Sequence, residues 1–393
     1  MPDPPPTAVT ESPGLSVPLL AGALTTIVGF ASSFTVVLAG LHAVGADERQ
    51  ASSGLLALCV ATGILSTALS LRQRMPLFIA WSTPGAALLV SAGAVSGGYP
   101  AALGAFVVTG LLIAVTGLWS GLGRWIAAIP VPLASAMLAG VLLPLCVAPV
   151  EAAVEIPGQA APVLVTWIVL VRFARRWAVV GAIVAAVVVI VASESIAGGD
   201  SLLPTLTATA PTFDLGAIVG LAIPLFIVTM TSQNIAGMGV LASFGYRPSL
   251  RPILVSTGAA TVVAAPFGAH AINLAAITAA LVAGPDAGPD PRRRWVASVT
   301  AGLGFVVLGL AAGIATALIA ASPPLLIEAV AGLALLGAFG GALRTATEAE
   351  GELREAAVVT FVVSASGVTA LSVSAAFWGL VAGLVFLAIR RGG

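Results

Sequence analysis

All sixteen basic residues of this chain are arginines, and fifteen of them fall in short breaks between apolar stretches that can share one side of a membrane. The breaks hold Arg72 and Arg74, Arg124, Arg172 with Arg175 and Arg176, Arg247 and Arg251, Arg292 to Arg294, Arg344 and Arg354, and Arg390 and Arg391. Alternate breaks are acidic, with Asp47 and Glu48, Glu151 and Glu155, then Glu194, Asp200 and Asp214; Arg49 is the one basic residue among them. Basic residues in short loops are retained on the cytoplasmic face during insertion, so the pattern assigns sides. Only 8% of the residues are charged, 59% are hydrophobic, and the mean hydropathy is +1.10. A water-soluble domain does not have this composition. The chain reads as a multi-pass protein of a bacterial inner (plasma) membrane.

A crossing needs roughly 20 apolar residues, and two arginine loops must be separated by an even number of crossings. These conditions give spans at about 15–41, 51–71, 76–93, 101–120, 130–148, 161–173 and 178–196, then 214–241, 252–265, 267–283, 295–321, 323–343, 355–369 and 373–389. The fold expected is an all-α polytopic membrane protein of about fourteen transmembrane segments with both termini cytoplasmic. Residues 1–14, with five prolines, read as a disordered cytoplasmic tail without the basic start of a signal peptide. Trp125, Trp177, Trp295 and Tyr246 stand beside arginines, where interfacial aromatics belong. Cys59 and Cys146 fall inside spans and read as small apolar residues, not as a disulfide or metal pair.

The halves echo one another. Ile129-Pro130-Val131-Pro132-Leu133-Ala134-Ser135, running on to Gly140, resembles Ser322-Pro323-Pro324-Leu325-Leu326-Ile327-Glu328, running on to Gly332. Seven spans per half is odd, so residues 15–197 and 212–391 would be repeats of inverted topology. That arrangement places a binding site at the repeat interface near the midplane in alternating-access carriers. In the third span, Pro76 and Pro84 bracket Met75 to Ala87; Pro84 suits a first helical position, with Ser82 or Thr83 as its cap. The residues before Pro84 are expected to run extended to the midplane. In the tenth span, Pro266 and Gly268 are expected to break the chain and open a half-helix toward the cytoplasm, with Thr83 to Ala86 facing Ala269 to Asn273. Two helix N-termini would then meet inside the membrane, each equivalent to about half a positive charge. Such termini suit an anion.

Three segments carry a family resemblance: Trp81-Ser82-Thr83-Pro84-Gly85, Thr231-Ser232-Gln233-Asn234-Ile235-Ala236-Gly237, and Pro266-Phe267-Gly268-Ala269-His270-Ala271-Ile272-Asn273-Leu274-Ala275, continuing to Ala280. They resemble the benzoate/proton symporter (BenE-type) family, and the similarity extends over nearly the whole chain after the tail. Ala236 departs from the proline that family members often carry. The resemblance implies the fold of uracil and other nucleobase transporters. In that fold a core domain, here about 15–125 and 212–321, works against a gate domain, here about 126–197 and 322–391. It also implies a substrate site at Ser82, Thr83, Gly85, Gln233, Asn234, Gly268, His270 and Asn273. Nucleobase carriers of this fold commonly place acids in the eighth and tenth spans. Amides and a histidine in their place favour a carboxylate, which an acid would repel.

Polar side chains within spans are costly and are functional candidates by default. Gln233 and Asn234 suit substrate contact, with helix–helix hydrogen bonding as the structural alternative. His270 can exchange a proton in the physiological range, or hold a backbone carbonyl. Glu328 is the one carboxylate clearly inside a span and is the second candidate for proton coupling; His42 reads as an outer loop residue. Phe30, Trp81 and Phe267 are candidates for stacking on an aromatic ring or for plain packing. The function expected is import of a small aromatic carboxylate with a proton. A nucleobase or other organic-anion carrier of the same fold, or a passive anion channel, are the alternatives. No metal-ligand spacing, nucleotide loop or catalytic triad is present in the sequence, so no cofactor, metal or enzyme activity is expected. Membrane lipid is the implied surrounding, nucleic acid is not a partner of a chain with zero net charge, and a homodimer is compatible with the sequence without being required by it.

Overall fold

A computed structural model describes residues 15–119, 129–193, 204–276, 278–320, 322–368, 370 and 373–391. The tail 1–14, Arg124 and Trp125, Glu194 and Asp200 lie outside the described residues. The first half runs α1 (Ser16–Ala31), α2 (Phe34–Ala43), α3 (Glu48–Gln73), β1 (Ile79–Trp81), α4 (Thr83–Ala92), α5 (Gly98–Leu118), α6 (Val131–Glu155), α7 (Pro157–Phe173) and α8 (Ala178–Ser193). The second half runs α9 (Leu215–Ser243), α10 (Leu250–Ala264), β2 (Ile272–Leu274), α11 (Ala279–Ala283), α12 (Trp295–Gly309), α13 (Ala312–Ala320), α14 (Pro324–Thr347), α15 (Gly351–Ala365) and α16 (Ala375–Arg391). Helix α9 is continuous but carries two π-helical stretches, Ile218–Ala222 and Met230–Ile235.

Among the described residues, seven helices or joined helices are long and apolar enough to cross a membrane. The α12–α13 pair, bent by 58° at its break, makes an eighth, and Thr83–Ala92, Pro157–Phe173, Ala178–Ala192 and Ala375–Arg390 are shorter apolar helices. The expected spans at 161–173, 178–196 and 373–389 coincide with three of the shorter ones. Large apolar side chains such as Ile64, Val154, Phe173, Val263 and Ile389 are exposed on the outside of the bundle, as a hydrocarbon solvent requires.

Local signals set the helix ends. Asp47 accepts from the Gln50 amide while the Gln50 side chain accepts from the Asp47 amide, a reciprocal cap that starts α3 at the acidic loop. At the other end Arg74 turns left-handed at φ 52°, and Pro76 prevents the helix from resuming. Ser82 and Pro84 open α4 as the sequence suggests: the Ser82 hydroxyl accepts from the Gly85 amide at 3.1 Å, with proline in the first turn.

Helices α3 and α12, α1 and α12, and α5 and α10 pack closely as one group; α6 with α14 and α15, α15 with α16, and α7 with α8 form another. The first group is drawn together by glycines. A Cβ on Gly110 would meet the Gly258 carbonyl oxygen at 2.8 Å, and one on Gly258 would meet the Gly110 carbonyl oxygen at 2.6 Å. Gly63 and Gly302 make the same reciprocal contact between α3 and α12. Membrane helices lack a water-driven attraction, so such backbone contact supplies the packing.

One expectation is corrected here. Pro266 and Gly268 do not open the second half-helix; they close α10, through a 3-10 turn at Ala265–Phe267 and a left-handed Gly268 at φ 100°. The chain then runs extended through β2, and α11 begins only at Ala279. A proline in a first turn opens a helix only when the following residues hold helical angles, and glycine in the left-handed region stops them. The facing segments are consequently Ile79 to Ser82 and Ala271 to Leu274, not Thr83 to Ala86 and Ala269 to Asn273.

The glycine contact yields a stability prediction. Gly258→Leu should lower the thermal midpoint in detergent, because overpacking at a backbone contact costs about 1–3 kcal/mol or more. Gly239→Leu, where a side chain meets nothing within 4 Å, should leave it unchanged.

Candidate functional site

Extended backbone inside a bilayer has no water to bond to, so every N–H and C=O needs a protein partner. Strands β1 and β2 partly serve each other, pairing antiparallel with Ile79 opposite Leu274, Ala80 opposite Asn273 and Trp81 opposite Ile272. The ladder extends on both sides: the Ser82 amide donates to the Ala271 carbonyl at 2.9 Å, and the Ala275 amide to the Phe78 carbonyl at 2.9 Å. The outer edges are served by side chains from neighbouring helices. On the β1 edge, Ser66 of α3 accepts from the Ile79 amide at 2.8 Å and donates to the Ile79 carbonyl at 3.0 Å. Ser70, one turn on, does the same for Leu77 at 3.2 and 3.0 Å. On the β2 edge, Thr261 of α10 accepts from the Ile272 amide at 3.0 Å. Asn234 of α9 accepts from the Leu274 amide at 3.0 Å and Gln233 from the Ala276 amide at 3.3 Å. The two amides sit in the π-helical stretch Met230–Ile235 and reach alternate residues of one strand.

Beside this ribbon lies a cavity of about 120 Å³. Its polar wall contains Thr83 at the start of α4, Thr278 just before α11, Gln233, and Ser32 and Ser33 from the break between α1 and α2. Phe78, Trp81 and Phe305 supply aromatic faces, and Ala334, Leu335 and Ala338 of α14 complete the apolar lining. The Trp81 and Phe305 rings lie 5.1 Å apart between centroids, and Phe78 meets Phe305 edge-on at 5.4 Å. The Trp81 indole is oriented by its N–H donating to Ser33 at 3.0 Å. No acidic or basic side chain lines the cavity among the described residues. What it offers an occupant is two segments' helix-start backbone, hydroxyls, one amide and aromatic faces. With its Oε1 engaged by Ala276, Gln233 retains its NH₂ as a double donor.

Of the residues singled out in the sequence, Thr83, Gln233 and Trp81 line this cavity. Ser82, Asn234, His270 and Asn273 are fully buried beside it. Ser82 caps α4 and accepts from Thr229 at 3.0 Å. Asn234 donates to the Met230 sulfur at 3.4 Å, and Asn273 to the Leu274 carbonyl at 2.9 Å, which leaves the Asn273 Oδ1 without a partner. His270 Nε2 donates to the Ser82 carbonyl at 3.0 Å, its Nδ1 has no partner among the described residues, and Phe106 meets the ring edge-on at 6.3 Å. His270 and Asn273 thus belong to the extended segment and not to the half-helix. Gly85 packs against Leu225, and Gly268 against Gly54 and the Tyr99 hydroxyl. Phe30 stacks on Phe34 at 5.1 Å behind the aromatic wall, and the Phe267 carbonyl accepts from Ser53 at 3.0 Å. Glu328 is half-buried on α14, six residues before the first cavity residue of that helix. Cys59 and Cys146 are free and buried.

Sequence reasoning missed the edge partners Ser66, Ser70 and Thr261, although Ser66 and Ser70 carry a usable signal: two hydroxyls one turn apart on an apolar helix next to a Pro-broken span. Phe305 carries none, being one apolar residue in an apolar span.

The profile of the BenE family, described as "Benzoate membrane transport protein", matches residues 15–389. The Inner membrane protein YdcO of Escherichia coli (strain K12) is 38% identical over 370 residues, 93% of each chain. The Benzoate membrane transport protein of Acinetobacter baylyi is 29% identical over 376 residues, also 93% of each chain. Among solved structures, the transmembrane domain of the cyanobacterial bicarbonate transporter BicA superposes with a TM-score of 0.64 at 16% identity, covering 94% of this chain and 97% of that one. SLC26A9 superposes at 0.62 with 15% identity, covering 95% and 65%. These neighbours share the fold.

The edge bonds make a prediction independent of any ligand. Thr261→Val preserves shape but strands the buried Ile272 amide, and should cost about 1–3 kcal/mol of stability. Thr261→Ser, which retains the oxygen, should cost less than half of that; equal melting temperatures for Thr261→Val and the unaltered protein would refute the edge role.

Proposed function

Because the chain belongs to the BenE family of benzoate membrane transport proteins, and is a membrane transporter and not an enzyme, we propose that it imports benzoate or a related aromatic carboxylate with a proton by alternating access. The observation that carries the reading is the makeup of the cavity: the openings of both broken segments, a free amide NH₂ and an aromatic wall around a space with no charged side chain in its described lining. The carboxylate would take the Thr83 and Thr278 ends, where helix N-termini favour negative charge. The ring would lie against Phe78, Trp81 and Phe305. Burying one anion with one proton is easier than burying a lone charge, which favours symport.

The cavity lies between the α4–α9–α12 side and α14. We therefore read α1–α5 and α9–α13 as the core and α6–α8 and α14–α16 as the gate, with movement between them exposing the cavity to each side in turn. In each half a strand leads into a half-helix, and the strands run antiparallel, which supports repeats of inverted topology. The arginine loops support cytoplasmic termini, and the Escherichia coli relative is named an inner membrane protein. His270 is the first candidate for proton coupling. Its Nδ1 is an unused buried nitrogen, and its Nε2 holds Ser82, the residue that caps the helix start at the cavity. A proton there would add positive charge beside the anion, so proton and substrate would raise each other's affinity. Glu328 is the second candidate; it shares its surroundings with Glu151, away from the cavity lining.

Uptake of radiolabelled benzoate into proteoliposomes, with and without an inward proton gradient, tests the whole reading. Gradient-driven accumulation is expected; equal flux at every pH would point to a passive channel, and preference for a nucleobase to a carrier of that class. Gln233→Ala should weaken benzoate binding roughly tenfold, the value of a hydrogen bond to a charged group. Gln233→Glu should abolish binding at neutral pH by repulsion. His270→Gln should bind benzoate without pH dependence, and if it retains gradient-driven uptake, the corresponding Glu328→Gln measurement decides the second candidate.

A further inference from the structure

Helix α11 has five residues, Ala279–Ala283, yet the residue before it lines the cavity. So short a helix does not hold itself; isolated helices below about 12–15 residues are marginal in water. Among the described residues, one side chain hydrogen-bonds the last carbonyl of this helix. Arg294 Nη1 donates to the Ala283 carbonyl at 2.8 Å and Nε to the Gly288 carbonyl at 2.8 Å. The loop that carries Arg294 is tied down separately by the Tyr246 hydroxyl, which donates to the Pro291 carbonyl at 2.7 Å. Arg294 is 8% exposed, and no other arginine, aspartate or glutamate is buried among the described residues. Its neighbours in the run behave differently: Arg292 is exposed, and Arg293 pairs with Asp290 at 3.6 Å on the surface.

A buried guanidinium is costly unless its donors are matched. Here one acceptor is the Ala283 carbonyl at the end of α11 and the other is the Gly288 carbonyl in the loop that follows, so the guanidinium bridges the two. Arg294 in addition precedes Trp295, the first residue of α12, and α12 carries Phe305 to the cavity wall. One residue therefore ties the end of α11 to the start of α12, and each element contributes to the cavity.

We propose that Arg294 is a positioning residue for the transport site: from the cytoplasmic loop it clamps α11 and so fixes Thr278 against Gln233 and Phe305. In sequence it is indistinguishable from Arg292 and Arg293, which only mark the cytoplasmic side. The consequence for affinity rests on the benzoate reading above, whereas the clamp itself does not.

The experiment compares Arg294→Gln, Arg294→Lys and Arg292→Gln with the unaltered protein in two ways. The first is hydrogen exchange of the 278–283 amides in detergent; the second is benzoate KM and maximal uptake rate in proteoliposomes. Arg294→Gln should speed exchange in that segment and raise KM at least about fivefold, as expected for losing charge-assisted hydrogen bonds that position a site, with a smaller change in maximal rate. Arg294→Lys, which keeps the charge but not the fork of donors, should fall between. Arg292→Gln, removing an equal charge from the same loop, should match the unaltered protein. Unchanged exchange overturns the clamp; faster exchange with unchanged KM overturns the positioning role. If Arg294→Gln does not fold, unchanged exchange and KM in Arg294→Lys overturn it equally. If the unaltered protein takes up no benzoate, the substrate reading fails, and exchange alone still decides whether Arg294 orders α11.

Discussion

The structure depends on satisfying two short stretches of extended backbone at a depth where water is absent. A helix closes its own hydrogen bonds and asks nothing of its neighbours, whereas a strand in hydrocarbon needs partners along both edges. β1 and β2 satisfy one edge of each other, and outward-facing groups of Leu77, Ile79, Ile272, Leu274 and Ala276 bond to Ser70, Ser66, Thr261, Asn234 and Gln233. This explains why α3, α9 and α10 must stand where they do: each carries side chains that a strand edge requires. The close glycine contacts of α3 with α12 and α5 with α10 bring these helix backbones together beside the strands.

Much of the architecture was legible in the sequence because charge and proline are expensive in a membrane and are used only where they act. Pro76 and Pro84 marked the break, and Ser82 with Pro84 marked the start of α4. The second break was misread. Pro266 and Gly268 look like a helix opening, but the left-handed glycine ends α10, and the true start at Ala279 has no proline and no side-chain cap to announce it. The site was legible in part for a related reason. A polar residue in a span signals that something must be bonded without saying whether it is a ligand or a neighbouring backbone. Ser82, Asn234, His270 and Asn273 all bond protein groups in the described structure, while Gln233 and Thr83 reach the cavity. The aromatic wall was half legible, since Trp81 stands in a marked segment and Phe305 does not.

The absence of charged side chains from the described cavity lining has a physical rationale under the proposed function. A fixed lysine or arginine would bind a carboxylate tightly on both sides of the membrane and oppose release. Helix-start amides and hydroxyls attract an anion with partial charges only, so affinity remains moderate and a co-transported proton can tip the balance. The aromatic wall adds selectivity for a ring without adding charge.

Gln233 shows why an amide, and not an acid or a hydroxyl, suits the point where scaffold and cavity meet. Its oxygen accepts from the Ala276 amide, a service that the strand edge needs whether or not a ligand is bound. A glutamate could provide that acceptor equally well, but its second oxygen would face a carboxylate and repel it. A serine could donate or accept, but it is too short to reach a strand from a neighbouring helix and retain a donor for the cavity. The amide divides the two tasks between its two ends, accepting toward the protein and donating toward the cavity. Its neighbour Asn234, one methylene shorter and fully buried, serves the strand alone. Under the proposed function, the adjacent pair would separate structure from recognition within a single turn of α9; both amides lie in the π-helical stretch Met230–Ile235 and reach the same extended segment, at Leu274 and Ala276.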